Sequence, residues 1–205
     1  MKIDKILKEI LVGKLLGDAH LETQNEGKTY RLKIEHSLKQ KEYVDWLYEK
    51  LKDFCVSFPK IRTRYYNENI YYKYFFNTKS VANLVFLGKQ FYQNKKKVVP
   101  KIIRKLLTPL SVAVWFMDDG SIKSHETNGR IFNTQGFTKK EVQFLSKALN
   151  SKFGLHSYLR KQKDGWQIFI PAEDAYIFRQ LIQEFVLPYF YYKLPKIRLT
   201  TLPKE

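Results

Sequence analysis

The sequence predicts an α+β protein made of two related halves, and three observations carry that prediction. An apolar run ending in an acid occurs twice, at Leu11-Val-Gly-Lys-Leu-Leu-Gly-Asp-Ala19 and at Val112-Ala-Val-Trp-Phe-Met-Asp-Asp-Gly120. Each run heads a similar downstream segment, with Arg31-Leu-Lys-Ile beside Arg130-Ile-Phe-Asn and Phe54 beside Phe153 at an offset of about 99. The order of hydrophobic periods in each segment is helix, strands, helix, strands, helix. A single repetition argues for a pseudo-twofold pair, because a solenoid needs at least about three units.

The first run of each half is apolar almost all round, so the two helices are buried, and small residues at Gly13, Gly17 and Ala113 let their backbones approach. Alternating segments then read as strands, Thr29 to His36 in one half and Arg130 to Gln135 in the other. Lys41 to Phe54 and Lys139 to Phe153 carry amphipathic helical spacing. Lys60 to Tyr66, Ile70 to Phe76, Ser157 to Lys161 and Trp166 to Ile170 are rich in β-branched and aromatic residues and read as strands. Val81 to Gln93 and Ala172 to Phe185 close the halves as helices. The expectation is two α-β-β-α-β-β-α halves packed through their first helices, each with an antiparallel sheet. The boundaries are residues 1–94 for the first half, 95–107 for a basic linker with Lys95, Lys96, Lys97 and Pro100, and 108–205 for the second. Later in the chain, an offset of 88 pairs Val99-Pro-Lys-Ile-Ile-Arg-Lys-Leu106 with Leu187-Pro-Tyr-Phe-Tyr-Tyr-Lys-Leu194, so the second half is expected to have lost a loop.

Charge narrows the function classes. The 205 residues include 37 Lys and Arg against 20 Asp and Glu, a formal net charge of +17 spread along the chain, which is the footprint of a polyanion binder. The one cysteine, Cys55, excludes an intramolecular disulfide and a thiolate zinc cluster. No apolar run approaches the ~20 residues needed to span a bilayer, so the chain reads as a soluble intracellular protein without a membrane partner, fitting a bacterial cytoplasm or an organelle matrix equally.

The acids in matched register, Asp18 and Asp119, carry the chemistry. Carboxylates at helix C-termini face the negative end of the macrodipole, which is unfavourable unless a cation is also present. Phosphodiester hydrolysis needs an activated water and a counter-charge for the leaving oxygen, and a divalent metal supplies both. Magnesium prefers carboxylates, waters and substrate phosphates, so a pair of aspartates suits it. His20 and His125 invite acid–base roles, although lone histidines beside a basic surface more often contact solvent or phosphate. Along the strands, basic, amide and aromatic residues interleave: Arg31, Lys33, Glu35, Arg62, Arg64, Tyr72, Lys73, Arg130, Asn133, Gln135, Arg160, Lys161 and Gln167. A β-ribbon fits the major groove, where Arg reads guanine and Asn or Gln reads adenine, and alternation sends half of such residues to the opposite face.

Both acid-ended runs resemble the LAGLIDADG signature of homing endonucleases, with Asp18 and Asp119 at its eighth position. Gly17-Asp-Ala-His20, Gly27-Lys-Thr-Tyr30, Leu107-Thr-Pro-Leu110, Trp115-Phe-Met-Asp-Asp-Gly120, Asn133-Thr-Gln135 and Tyr192-Lys-Leu-Pro195 are similar to the single-chain branch typified by the mitochondrial omega-intron endonuclease. The resemblance implies intron homing by a monomeric endonuclease that cuts both strands of a long non-palindromic DNA site. It also implies two or more Mg2+ ions, with Mn2+ as a substitute. It marks Asp18 and Asp119 as metal ligands, the backbone carbonyls of Gly17 and Asp118 as further ligands, and Lys193 and Lys97 as active-site lysines. The internal repeat instead pairs Lys193 with Lys105, and Lys97 is preferred on the family match. The same scaffold serves intron RNA maturases and non-cutting DNA-binding regulators, so these remain the alternatives, and two intact acids favour cleavage.

Overall fold

The computed structural model describes residues 3–124 and 126–196, so His125 lies outside the described residues. Helix α1 (Lys5–Leu16) leads into strands β1 (His20–Glu22) and β2 (Arg31–Ser37), helix α2 (Lys41–Leu51), the hairpin β3 (Lys60–Tyr66) and β4 (Asn69–Asn77), and helix α3 (Val85–Phe91). A two-stranded ribbon, β5 (Tyr92–Gln93) and β6 (Lys96–Lys97), and helix α4 (Ile103–Leu106) connect to the second half. That half repeats the order with α5 (Pro109–Asp119), β7 (Gly120–Ile122), β8 (Arg130–Phe132), α6 (Lys139–Phe153), β9 (Tyr158–Gln162), β10 (Gly165–Ile170) and α7 (Ala175–Ile182), followed by a 3-10 helix over Pro188–Lys193. The two four-stranded sheets share one topology, β1-β2-β4-β3 and β7-β8-β10-β9, and every neighbouring pair is antiparallel.

Helices α1 and α5 form the spine. Their apolar residues from Ile10 to Leu16 and from Val112 to Met117 are buried, and one continuous core takes residues from both halves. Gly13 explains the close approach, because a Cβ there would lie 2.4 Å from the Ser111 carbonyl oxygen and 2.7 Å from Val114 Cβ. Alanine at this position would push the helices apart, at a cost on the order of 1–3 kcal/mol. Gly17 is equally constrained, since its Cβ would lie 2.4 Å from Asp118 Oδ2. Both helix starts are fixed by local chemistry: Asp4 caps α1 by accepting from Leu7 N, and Thr108 and Ser111 form a capping box with Pro109 at N1 of α5.

The helix expected over Val81 to Gln93 ends early. Gln93 and Lys96 pair across a two-residue turn at Asn94 and Lys95, whose φ of 48° and 63° suit a type I′ hairpin. The predicted linker is therefore partly ordered structure, and this ribbon carries Lys97 toward the ends of the paired helices. A second correction concerns the repeat. His20 pairs with Lys33 and Ser121 with Ile131, which makes Lys33 and Ile131 equivalent at an offset of 98 (131 − 33), not 99. One residue of slip sends every side chain of a strand to the other face. Arg130 thus occupies the place of the buried Leu32, not that of Arg31. No helix among the described residues is long and apolar enough to cross a membrane.

Candidate active site and nucleic-acid interface

The spine helices deliver their acids to one place. Helix α1 stops at Leu16 with Gly17 as its C-cap, so Asp18 lies just beyond the helix, whereas Asp119 is the last residue of α5. The Asp18 carboxylate is 49 % exposed. The Asp119 carboxyl is pushed up to about 8 by burial and by the negative charges of Asp18 and Asp118, with Lys97 and Lys14 opposing. Asp18, His36 and Asp118 also gather as a candidate metal-ligand cluster, each offering an atom within 4.8 Å of the others. Its members are unequal as donors, because both oxygens of Asp118 and both ring nitrogens of His36 already hold protein partners. The crowding of three carboxylates leaves negative charge that an oxygen-preferring divalent cation would offset, so the residues present fit magnesium.

Two lysines flank the acids. Lys97 Nζ donates to the Gly17 carbonyl at 2.6 Å, and burial pulls its ammonium down to about 8 against the charges of Asp119, Asp118 and Asp18. Lys193 Nζ donates to the Met117 carbonyl at 2.7 Å and reaches the Asp118 carbonyl at 3.4 Å, and burial lowers it in the same way. Gly17 and Asp118 occupy matching positions in the two motifs, so the two lysines approach the two helix ends to within one residue of each other's register. Lys105 sits exposed on α4. His20 stands at the start of β1 with Nδ1 3.1 Å from the Tyr92 hydroxyl, and burial together with Lys97 and Lys33 holds its pKa below the usual value.

The pairing registers sort the expected DNA-contacting residues by face. In the first half, Arg31, Lys33, Glu35, Arg62, Arg64 and Lys73 share the face turned away from the helices. Glu35 pairs with Arg62 at 3.4 Å and Arg64 at 3.9 Å, Arg31 donates to Glu22, and the Arg62 guanidinium lies 4.0 Å from the Phe75 ring centroid. Tyr72, opposite Thr63, belongs to the helix-facing side and departs from the expectation. In the second half Arg160 and Gln167 pair on the outer face, and Gln167 Nε2 donates to Asn133 Oδ1 at 2.7 Å. Asn133 in turn holds the Asp119 carbonyl through its backbone N–H at 2.9 Å and Nδ2 at 2.8 Å. Gln135 follows β8 and is half-buried. Lys161 pairs with Trp166 on the helix side, which removes it from the outer face.

Arg130 is the clearest correction. Its guanidinium is buried, not presented to DNA, and donates to the carbonyls of Asn128, Gly129, Lys193 and Leu194. It therefore fixes the backbone that carries Lys193. Sequence reasoning also passed over Lys14, His36 and Tyr43, which surround Asp118. The available signal was a lysine inside an otherwise apolar helix, a position that demands a buried partner.

The sequence pattern of the LAGLIDADG DNA endonuclease family matches residues 8–178. "Probable intron-encoded endonuclease 1" of Wickerhamomyces canadensis is 31% identical over 202 residues, covering 94% of this chain and 85% of that protein. "Cytochrome b mRNA maturase bI2" of Debaryomyces hansenii is 30% identical over 198 residues, covering 94% of this chain and 74% of that protein. Among solved structures, the homing endonuclease I-WcaI bound to its DNA recognition sequence superposes with a TM-score of 0.91 at 28% identity, covering 97% of this chain and 89% of that one.

Proposed function

The chain belongs to the LAGLIDADG DNA endonuclease family, and from that premise we propose that it is a site-specific endonuclease cutting both strands of a long, non-palindromic DNA duplex as a monomer. The observation that carries the proposal is the convergence, at one end of a buried helix pair, of three carboxylates and two lysines, Lys97 on the Gly17 carbonyl and Lys193 on the Met117 carbonyl. Similarity to a DNA-bound homing endonuclease across 97% of the chain supports the same reading.

In this reading Asp18 and Asp119 hold magnesium together with the carbonyls of Gly17 and Asp118, at a stoichiometry of two or more ions and with Mn2+ able to substitute. The metal supplies an activated water and a counter-charge for the leaving oxygen. Lys97 and Lys193 place positive charge beside the scissile phosphates, where charge develops in the transition state. Residues 1–94 and 108–205 each read one half of the site, and residues 95–107 join them. Arg31, Lys33, Glu35, Arg62, Arg64, Lys73, Asn133, Gln135, Arg160 and Gln167 contact bases and phosphates from the outer sheet faces.

Selection of cleaved sites from a random duplex library with magnesium tests the proposal. A single enriched, asymmetric site is expected, and an absence of cleaved duplex from a folded chain would overturn it. Sedimentation of the complex should give one chain per duplex, because each chain carries both motif copies.

A second reading, binding of intron RNA to assist splicing, is favoured by the similarity to the Debaryomyces maturase. An in vitro splicing assay with Asp18→Asn distinguishes it, since splicing assistance does not need the acid while cleavage does.

A further inference from the structure

Lys14 lies in the middle of the helix interface, fully buried, and is the one charged residue within the apolar stretch of α1 from Ile10 to Leu16. Its ammonium contacts three atoms of two side chains. Asp118 Oδ2 lies at 2.7 Å and Oδ1 at 2.8 Å, and His36 Nε2 at 2.8 Å. An ammonium can only donate, so His36 accepts through Nε2 and carries its proton on Nδ1, which faces Gln40 Oε1 at 3.0 Å and Asp18 Oδ2 at 3.6 Å. The Tyr43 hydroxyl donates to Asp118 Oδ1 at 2.9 Å. What Asp118 does with its other oxygen matters most: Oδ2 accepts the backbone N–H of Asp18 at 3.0 Å, across the interface between the halves.

Among the described residues the second half has no counterpart to this assembly. At an offset of 101, Lys14 corresponds to Trp115, whose Nε1 is buried without a partner, and Asp118 corresponds to Gly17. At an offset of 98, His36 corresponds to Thr134, which donates to the Trp166 carbonyl. Asp119 is held differently, through its carbonyl by Asn133.

We propose that Lys14 and His36 are positioning residues for one of the two cleavage events: they hold the Asp118 carboxylate in place, and Asp118 fixes the backbone of Asp18. Asp119 takes part in none of these hydrogen bonds, its carbonyl being held instead by Asn133. Disturbing the assembly therefore uncouples the two cuts. The inference rests on the endonuclease reading and adds to it that the two scissions depend on different supports.

The test is single-turnover cleavage, with each strand separately end-labelled, of a duplex that the wild-type chain cuts. Lys14→Met is expected to slow one strand by about tenfold or more relative to the other, a difference of about 1.4 kcal/mol in barrier, with accumulation of nicked duplex and DNA affinity within about twofold. Lys14→Met leaves Asp118 as a buried carboxylate without its cation and can fail to fold. Lys14→Met combined with Asp118→Leu replaces the buried pair by apolar groups, which folded proteins tolerate well, and should show the same strand bias. Tyr43→Phe removes one hydrogen bond to Asp118 and should show the bias in the same direction at smaller amplitude. Equal slowing of both strands, or wild-type rates on both, in the folded variants would overturn the proposal. Wild-type chain that cuts no duplex would instead remove the endonuclease reading.

Discussion

The β3–β4 and β9–β10 hairpins occupy corresponding places in the two sheets and differ in length. In the first half β3 and β4 pair from Lys60 with Phe75 out to Tyr66 with Asn69, while β9 and β10 end at Gln162 with Gly165. Residues 63–72 of the first hairpin thus correspond to residues 163–164 of the second, and the first projects far enough that both its faces are exposed at the tip. The shortening expected as a lost loop is the loss of a hairpin end. The first sheet presents Arg62, Arg64 and Lys73 on its outer face, whereas the outer face of the second holds the buried Ile131 and Phe169 beside Arg160 and Gln167. A pseudo-symmetric fold can therefore keep its spine while the two halves diverge in reach and charge, as an asymmetric ligand requires.

The spine should show the opposite behaviour, and the largest effect tests that. Asp18→Asn and Asp119→Asn are each expected to abolish double-strand cleavage while leaving specific binding nearly intact with calcium present. Full cutting by either purified variant would break the equivalence of the two helix ends.

The flanking lysines come next. Lys97→Met and Lys193→Met should each slow cleavage by more than about tenfold with little loss of binding, and Lys105→Met should be mild. A severe defect in Lys105→Met with normal rates in Lys97→Met would show that the wrong pair has been matched.

Two arginines sharpen the contrast between sheets. Arg64→Ala should weaken binding, by roughly 1–3 kcal/mol if it reads a base, and leave thermal stability unchanged. Arg130→Ala should lower Tm, because four carbonyls lose their donor, and should slow cleavage through Lys193. Equal Tm for the two variants would contradict the assignment of Arg130 to the fold.

The smallest expected effect concerns pH in metal-free protein. Asp119 holds its proton up to about pH 8 when folded, well above its ordinary value of roughly 3.9 when unfolded. The folded form binds the extra proton between these values, so this contribution to stability is full below about pH 4 and is lost as pH rises through about 8. The Tm of Asp119→Asn relative to wild type in chelator should accordingly rise from pH 5 to pH 9. A pH-independent difference would count against the buried setting of Asp119.

Much was legible from residues alone. The repeat, the buried helix pair and the two acids follow from apolar runs interrupted by Gly13, Gly17 and a terminal aspartate, since periodicity and close packing are local rules. The helix over Lys139–Phe153 was equally plain, with Thr138 and Glu141 as its capping box and Gly154 as its C-cap in the left-handed region at φ 68°. The turn at Asn94 and Lys95 was hidden because neither neighbour is a glycine, and a left-handed turn of such residues shows only in the backbone.

By itself the sequence determined the two-half architecture, the family and the pair of acids, because each is written in spacing within a few consecutive residues. Tertiary structure decided which face each strand residue occupies, that Lys97 and Lys193 reach backbone carbonyls at the two helix ends, and that Lys14 finds Asp118 and His36. These depend on a one-residue register between strands and on contacts between residues 22 and 104 positions apart, which no local period records. A buried lysine announces that it needs a partner; only the packed chain says which.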